Sequence, residues 1–354
     1  MKADPILCAA AVCGALLGAC APASRGPAVF AAVETIPVAS AGDAADDPAV
    51  WTDARDPSRV LVLGTDKREE GGIGIYGLDG IRRGWFPLPL SNNVDLRDGF
   101  VFAPGDTGVL VVVSVRLDST MALLRLRTDS VPRLEDVAAA KVRDGEPYGV
   151  CVGAGPAGWA GYVVRKDGAV VEWLLAPTGD GKVAATRGRR WDMGTQGEGC
   201  VSDDLAQRLF VGEEDRGLWS FDRTAGVQEG GKIDSVAKGR PLRDDVEGVT
   251  LWEGHDGAGY LVVSSQGDHS FAIYDRPVPH AFRGKFHVAP GTRVDGTEET
   301  DGLAATSLPS GPFPRGYLAI QDGENDNGLQ NFKLVDWREV ERALGLDSTL
   351  APAR

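Results

Sequence analysis

The chain has 354 residues, 43% of them hydrophobic, enough for one large all-β domain or two ordinary ones. Its 51 acidic against 37 basic residues give a net charge of −14, which excludes the basic footprint of a nucleic-acid binder. An acidic protein that handles anions needs a cation to invert its local field, and Ca²⁺ suits oxygen ligands.

Residues 1–19 read as an export signal: Lys2 supplies the positive start, and Ile6 to Leu17 form an apolar run too short to span a bilayer. The run ends in Leu17-Gly18-Ala19-Cys20, which resembles a lipobox and predicts cleavage before Cys20 with lipidation there. An ordinary signal peptide cut near Ala21 or Ala23 is the alternative. Ala21, where Asp would signal retention, favours the outer membrane in a Gram-negative host. The expected location is therefore the cell envelope or the medium, with membrane contact only through the lipid. Residues 20–29 then read as a flexible tether. Of five cysteines only Cys151 and Cys200 fall in the folded part. An oxidising compartment would let them pair, but their registers differ within the repeat described next, so two buried free thiols are expected.

From residue 30 to 346 one pattern recurs six times. Short strands open on the anchors Asp47, Asn93, Tyr148, Glu198, Glu247 and Asp301, spaced 46, 55, 50, 49 and 54 residues apart. A second strand follows each anchor and ends on polar or charged residues, among them Lys67, Arg116, Lys166, Glu213-Glu214, Gln266 and Gln321-Asp322. A third strand and a weaker outer one complete each unit. Four antiparallel strands in roughly 50 residues is the size of a propeller blade. The expected fold is an all-β six-bladed β-propeller around a central channel, its ring closed by an N-terminal strand from Phe30–Ala39, with 347–354 as a C-terminal tail. Gly-rich composition, 47 copies, suits the tight turns this needs.

First strands line the axis, and second strands return to the same rim, so anchors and charged strand ends should converge on one surface. Acids crowded there repel one another unless a metal holds them. No Cys/His grouping suits zinc, whereas carboxylates suit Ca²⁺. Lys67, Arg116 and Lys166 come from blades one to three and the acids largely from blades four to six. One half of the rim would bind anions and the other metal, and a phosphate group could bridge them. Water activated by the metal would then serve as nucleophile, with no covalent one required.

Asp43-Ala44-Ala45-Asp46-Asp47-Pro48-Ala49-Val50-Trp51 and Asn92-Asn93-Val94-Asp95-Leu96-Arg97 resemble the first two motifs of the β-propeller (alkaline) phytases. Glu213-Glu214-Asp215, Asp245-Val246-Glu247-Gly248, Thr300-Asp301-Gly302 and Gln321-Asp322-Gly323-Glu324-Asn325 resemble others, so the likeness runs from about Thr35 to Trp337. It implies a monomer that hydrolyses phosphate monoesters of phytate or other inositol phosphates with several calcium ions. Lys67, Arg116, Tyr148 and Lys166 would hold phosphate, and Glu198, Glu213, Glu214, Glu247 and Asp301 the catalytic calcium and its water. Glu198, Glu213, Glu214, Lys67 and Arg116 are thus the catalytic candidates. Asp46, Asp47 and Asp245 would bind calcium at or near the channel. Two departures stand out: Asp167 follows Lys166 where Glu is usual, and Asp66 precedes Lys67 where Asn is common. A lactonase-like calcium hydrolase would not need three basic side chains at one rim. An envelope scaffold would need an exposed apolar patch in place of this charge.

Overall fold

The computed structural model describes residues 25–224, 230–325 and 327–352. The export signal and Cys20 lie outside them. Six antiparallel sheets follow one another along the chain, each a blade, with sequential strands running from the axis outward. The innermost strands are Ala45–Thr52, Ser91–Ala103, Pro147–Gly155, Gly197–Asp203, Val246–Glu253 and Leu303–Thr306.

Second strands such as Asp106–Val115, with its Val109-Leu110-Val111-Val112-Val113 run, are apolar on both faces because a blade lies against each side. The core is therefore spread over the interfaces between blades. Between blades one and two Leu63, Ile75, Val94, Val111 and Leu124 form one cluster. Between blades six and one Val62, Tyr76, Tyr317 and Phe332 form another. There Gly64 has to be glycine, since a Cβ would sit 2.1 Å from the Phe332 ring. Between blades five and six the Trp252 and Trp337 rings stack at 5.0 Å, the latter opening the helix Trp337–Leu344. That helix starts on an Asp336 side-chain cap and stops at Gly345 in the left-handed region.

Val33–Glu34 pairs antiparallel with Asn331–Asp336 as the outermost strand of blade six. The tether ends earlier than expected: Ala28–Val29 adds a fifth, parallel strand to blade five, with Val29 buried. The C-terminal tail is docked as well. Arg315 holds Glu341 and the Leu350 carbonyl, and the His255 amide donates to Ala351 O at 2.9 Å.

The two folded cysteines are not free thiols. Cys151 and Cys200 form a disulfide between the innermost strands of blades three and four, with Cα atoms 5.8 Å apart. Counting register from the anchors misleads because each strand bulges at its anchor, between Pro147 and Gly149 in blade three and between Gly197 and Cys200 in blade four, which breaks the two-residue alternation. Closing a loop of 49 residues removes unfolded-chain entropy amounting to about 4 kcal/mol.

Candidate active site

In blades one to five the ladder between the innermost strand and its neighbour skips where the anchor stands. The skips fall between Ala45 and Pro48, Ser91 and Val94, Pro147 and Gly149, Gly197 and Cys200, and Val246 and Val249. Asp46, Asp47, Asn92, Asn93, Tyr148, Glu198 and Glu247 all occupy these gaps. A bulge releases a residue from the ladder and re-aims its side chain, here toward the channel mouth for Asp46, Asn92, Tyr148, Glu198 and Glu247. The residue after each second strand comes back to meet it. The amides of Lys67, Arg116, Lys166, Glu214 and Gln266 donate to Ala44, Leu90, Glu146, Gln196 and Asp245, at 2.7, 2.9, 3.3, 3.1 and 2.9 Å. Each acceptor immediately precedes an innermost strand. One backbone bond, repeated five times, thus sets the rim.

Glu198, Glu214 and Glu247 each bring a carboxylate oxygen within 4.8 Å of the others. Asn92 Nδ2 donates to Glu198 at 2.7 Å and Gln196 Nε2 to Glu214 at 2.7 Å, while Glu247 Oε2 has no hydrogen-bond partner. Burial, then repulsion from Glu247 and Asp46, pushes Glu198 well above the usual carboxylate range. Burial does the same to Glu247, with Glu214, Asp301 and Asp46 adding repulsion. Glu214 is raised too, by burial and then by Asp245 and Asp215.

Beside this triad Lys67 Nζ lies 2.8 Å from Asp43, 3.1 Å from Asp46 and 2.7 Å from Asp301. Burial works against its charge, but the Asp46 and Asp301 carboxylates outweigh that and raise its pKa. Neither oxygen of buried Asp46 accepts a hydrogen bond. Asp301 also accepts from Gln266 Nε2 at 2.6 Å, and burial followed by Asp46 repulsion pushes it up to about 7. Across the mouth Arg116 Nη2 donates to Lys67 O at 2.9 Å, leaving its buried Nε without a partner. Lys166 Nζ stands 4.3 Å over the Tyr148 ring. Glu198 above all, then burial, raises the Tyr148 hydroxyl, which stays an O–H donor.

Three predicted residues stand elsewhere. Glu213 faces into blade four, where Thr195 N and Oγ1 and Trp219 Nε1 donate to it at 3.0, 2.7 and 2.8 Å. It is separated from the triad because it is the last strand residue, on the same face as Leu209 and Val211. Asp47 turns down the channel and accepts from Val94 N at 3.0 Å. Asp245 lies at the edge, half-buried, its pKa raised by burial and then by Asp244 and Asp215. The two departures are turned away from the mouth: Asp66 accepts from Ser40 N and Arg68 N, and Asp167 from Arg165 Nη2 and Ala169 N. Asp43 and Asn92, which open two of the motifs, and Gln266, a strand end, carry no expected role in the sequence, and Gln196 carries none either; all four contribute here. Nor does the sequence single out a group on blade six, where Lys333 is ringed by Glu34, Asp295 and Asp322.

Buried carboxylate oxygens without hydrogen-bond partners, on Asp46 and Glu247, together with the converging triad fit a divalent cation with oxygen ligands. Thiolate or imidazole donors, which would suit zinc, take no part.

A model of the family named Phytase matches residues 5–352. The chain belongs to the Phytase family. This phytase-family chain is 33% identical over 330 residues to a curated 3-phytase of Bacillus subtilis (strain 168), a match covering 90% of the chain and 85% of the relative. Among solved structures it is similar to BBS1N from a complex with ARL6DN, with a TM-score of 0.49 at 13% identity, covering 92% of this chain and 100% of that one. A functionally unknown protein from Desulfotomaculum acetoxidans DSM 771 gives a TM-score of 0.45 at 13% identity, covering 70% and 73%.

Proposed function

We infer that this phytase-family enzyme hydrolyses the phosphate monoesters of phytate with calcium at the channel mouth, and that it works as a lipid-anchored monomer exported to the cell envelope. The observation carrying the reading is the division of one rim. Lys67, Arg116, Tyr148 and Lys166 offer positive charge and donors on one side, and Glu198, Glu214 and Glu247 converge on the other. Asp46 and Asp301 lie between the two.

Calcium held by Glu198, Glu214 and Glu247, with Asp46 and Asp301 alongside, supplies Lewis acidity toward phosphoryl oxygens and makes water a better nucleophile. The chain's own residues do the rest. Arg116 carries the permanent charge and, through its bond to Lys67 O, keeps its guanidinium at the mouth. Lys67 exchanges a carboxylate partner for a phosphate oxygen, and Lys166 adds a second ammonium held over the Tyr148 ring. Tyr148 donates its hydroxyl hydrogen to a phosphate oxygen. Glu214, tethered by Gln196, is the least buried of the triad and is within electrostatic reach of Lys166. The disulfide supports export, since such bonds persist in oxidising compartments.

Phosphate release from phytate, measured in calcium and after exhaustive chelation, tests the reading. Release that needs calcium is expected; none under either condition, or equal release in both, rules it out.

A further inference from the structure

We propose that the Cys151–Cys200 disulfide is a positioning device for Glu198, holding the acid triad at a fixed distance from the phosphate-binding half of the rim. The proposal rests on the phytase reading for the names of the two halves, and on the following geometry for itself.

Innermost strands of neighbouring blades belong to different sheets, so no ladder joins them. Between blades three and four they run side by side at a constant offset. A Cβ on Gly149 would lie 1.7 Å from Glu198 O, and one on Gly153 would lie 2.1 Å from Ser202 Oγ. Cys151 and Cys200 sit midway between these contacts and carry a covalent bond. Glu198 itself has no ladder partner in its own sheet, because pairing jumps from Gly197–Glu213 to Cys200–Val211. Its backbone is therefore suspended between Gly197 on one side and Cys200 on the other. Cys200 in turn is tied to blade three, three residues beyond Tyr148.

Crowding of the acids gives this tie something to oppose. Glu198 faces the like charges of Glu247 and Glu214, with Asn92 as its neutral donor. Deprotonated and without metal, these carboxylates would repel one another and push blade four's bulge outward, and the disulfide would oppose that movement. Without it the propeller keeps its six interface cores, but the Glu198 carboxylate is free to drift from the triad and from Tyr148.

Cys151→Ala/Cys200→Ala and the wild type treated with dithiothreitol, its thiols counted by titration, test this. Each is compared with oxidised wild type at 25 °C, well below melting. We expect an unchanged far-ultraviolet circular dichroism spectrum, kcat lower by about ten- to a hundredfold with KM for phytate changed less than threefold, and calcium binding by calorimetry weakened by about tenfold. Reoxidation restores the wild type, and dithiothreitol leaves the double variant unaffected. A crosslink that serves only stability would lower the melting temperature while leaving kcat and calcium affinity intact, and that result overturns the proposal. So does reduced protein that unfolds at 25 °C. Absence of phytate hydrolysis by oxidised wild type would instead defeat the phytase reading, and the calcium titration would still decide the positioning claim.

Discussion

Asn92 and Glu198 stand 106 residues apart, on blades two and four, and meet with Asn92 Nδ2 donating to Glu198 Oε1 at 2.7 Å. A hydrogen bond to a buried charged group contributes about 1.5–3 kcal/mol. Asn92→Ala should lose stability in that range in urea denaturation with calcium present, and turnover should fall with it. Asn92→Asp places another carboxylate in the group and should be harsher without calcium than with it. Equal losses in the two conditions would mean that charge crowding is not what the amide relieves.

Burial and mutual repulsion raise Glu198, Glu247 and Asp301, the last to about 7. A folded state that holds protons more tightly than the unfolded chain loses stability as pH climbs from unfolded values of about 4 through the folded ones. Metal-free protein should therefore melt higher at pH 5 than at pH 8. Calcium held by the deprotonated carboxylates, as proposed, should reverse that order. Scanning calorimetry in metal-free buffer and in millimolar calcium checks both; metal-free melting that climbs with pH contradicts the crowding.

The same protonation governs turnover. Protonation of the triad at acid pH should compete with the proposed calcium, so activity should rise through neutrality to a neutral or alkaline optimum. A pH–rate profile on phytate at fixed free calcium, with chelated enzyme alongside, measures it. An acid optimum that survives chelation is incompatible with this site.

Lys67 and Arg116 were paired as phosphate ligands, but the structure gives Lys67 a second task among Asp43, Asp46 and Asp301. Arg116→Ala should reduce activity at least tenfold and leave calcium-linked melting unchanged. Lys67→Ala should reduce activity and also make the metal-free protein less stable, with calcium recovering most of that loss. Identical melting behaviour of the two variants would remove the distinction.

Glu213→Ala should separate structure from chemistry. It leaves Thr195 N and Trp219 Nε1 without their acceptor, which costs about 1–3 kcal/mol. The calcium-induced rise in melting temperature should persist in full. A lost calcium response would return Glu213 to the metal site.

The blades are legible because the anchors recur, and in blades one to five they recur because each marks the same bulge. What the sequence hides is the bulge itself. It carries no residue signature shared by Asp46-Asp47, Tyr148 and Glu198, yet it resets which face every later side chain takes. That is why Cys151 and Cys200 were assigned to opposite faces although they are bonded. Glu213 was readable in hindsight: Leu209, Val211 and Glu213 share one face of a blade strand, while Glu214 follows the strand end and turns to the rim. Of the neutral donors, Asn92 is visible only as a motif residue and Gln266 only as a strand end, while Gln196 lies in no recurring position. Each nonetheless fixes one acid of the site.

Glu34 accepts from Lys333, 299 residues further along, and Ala28 lies beside His287. The outermost strands of the last two blades are thus made long before the strands they pair with. At synthesis rates of about 5–20 residues per second they wait roughly 15–60 s for their partners. Each is only two residues long, too little to template pairing with another chain in the interval. Brevity of the strands that wait keeps the nascent chain from being completed by a stranger.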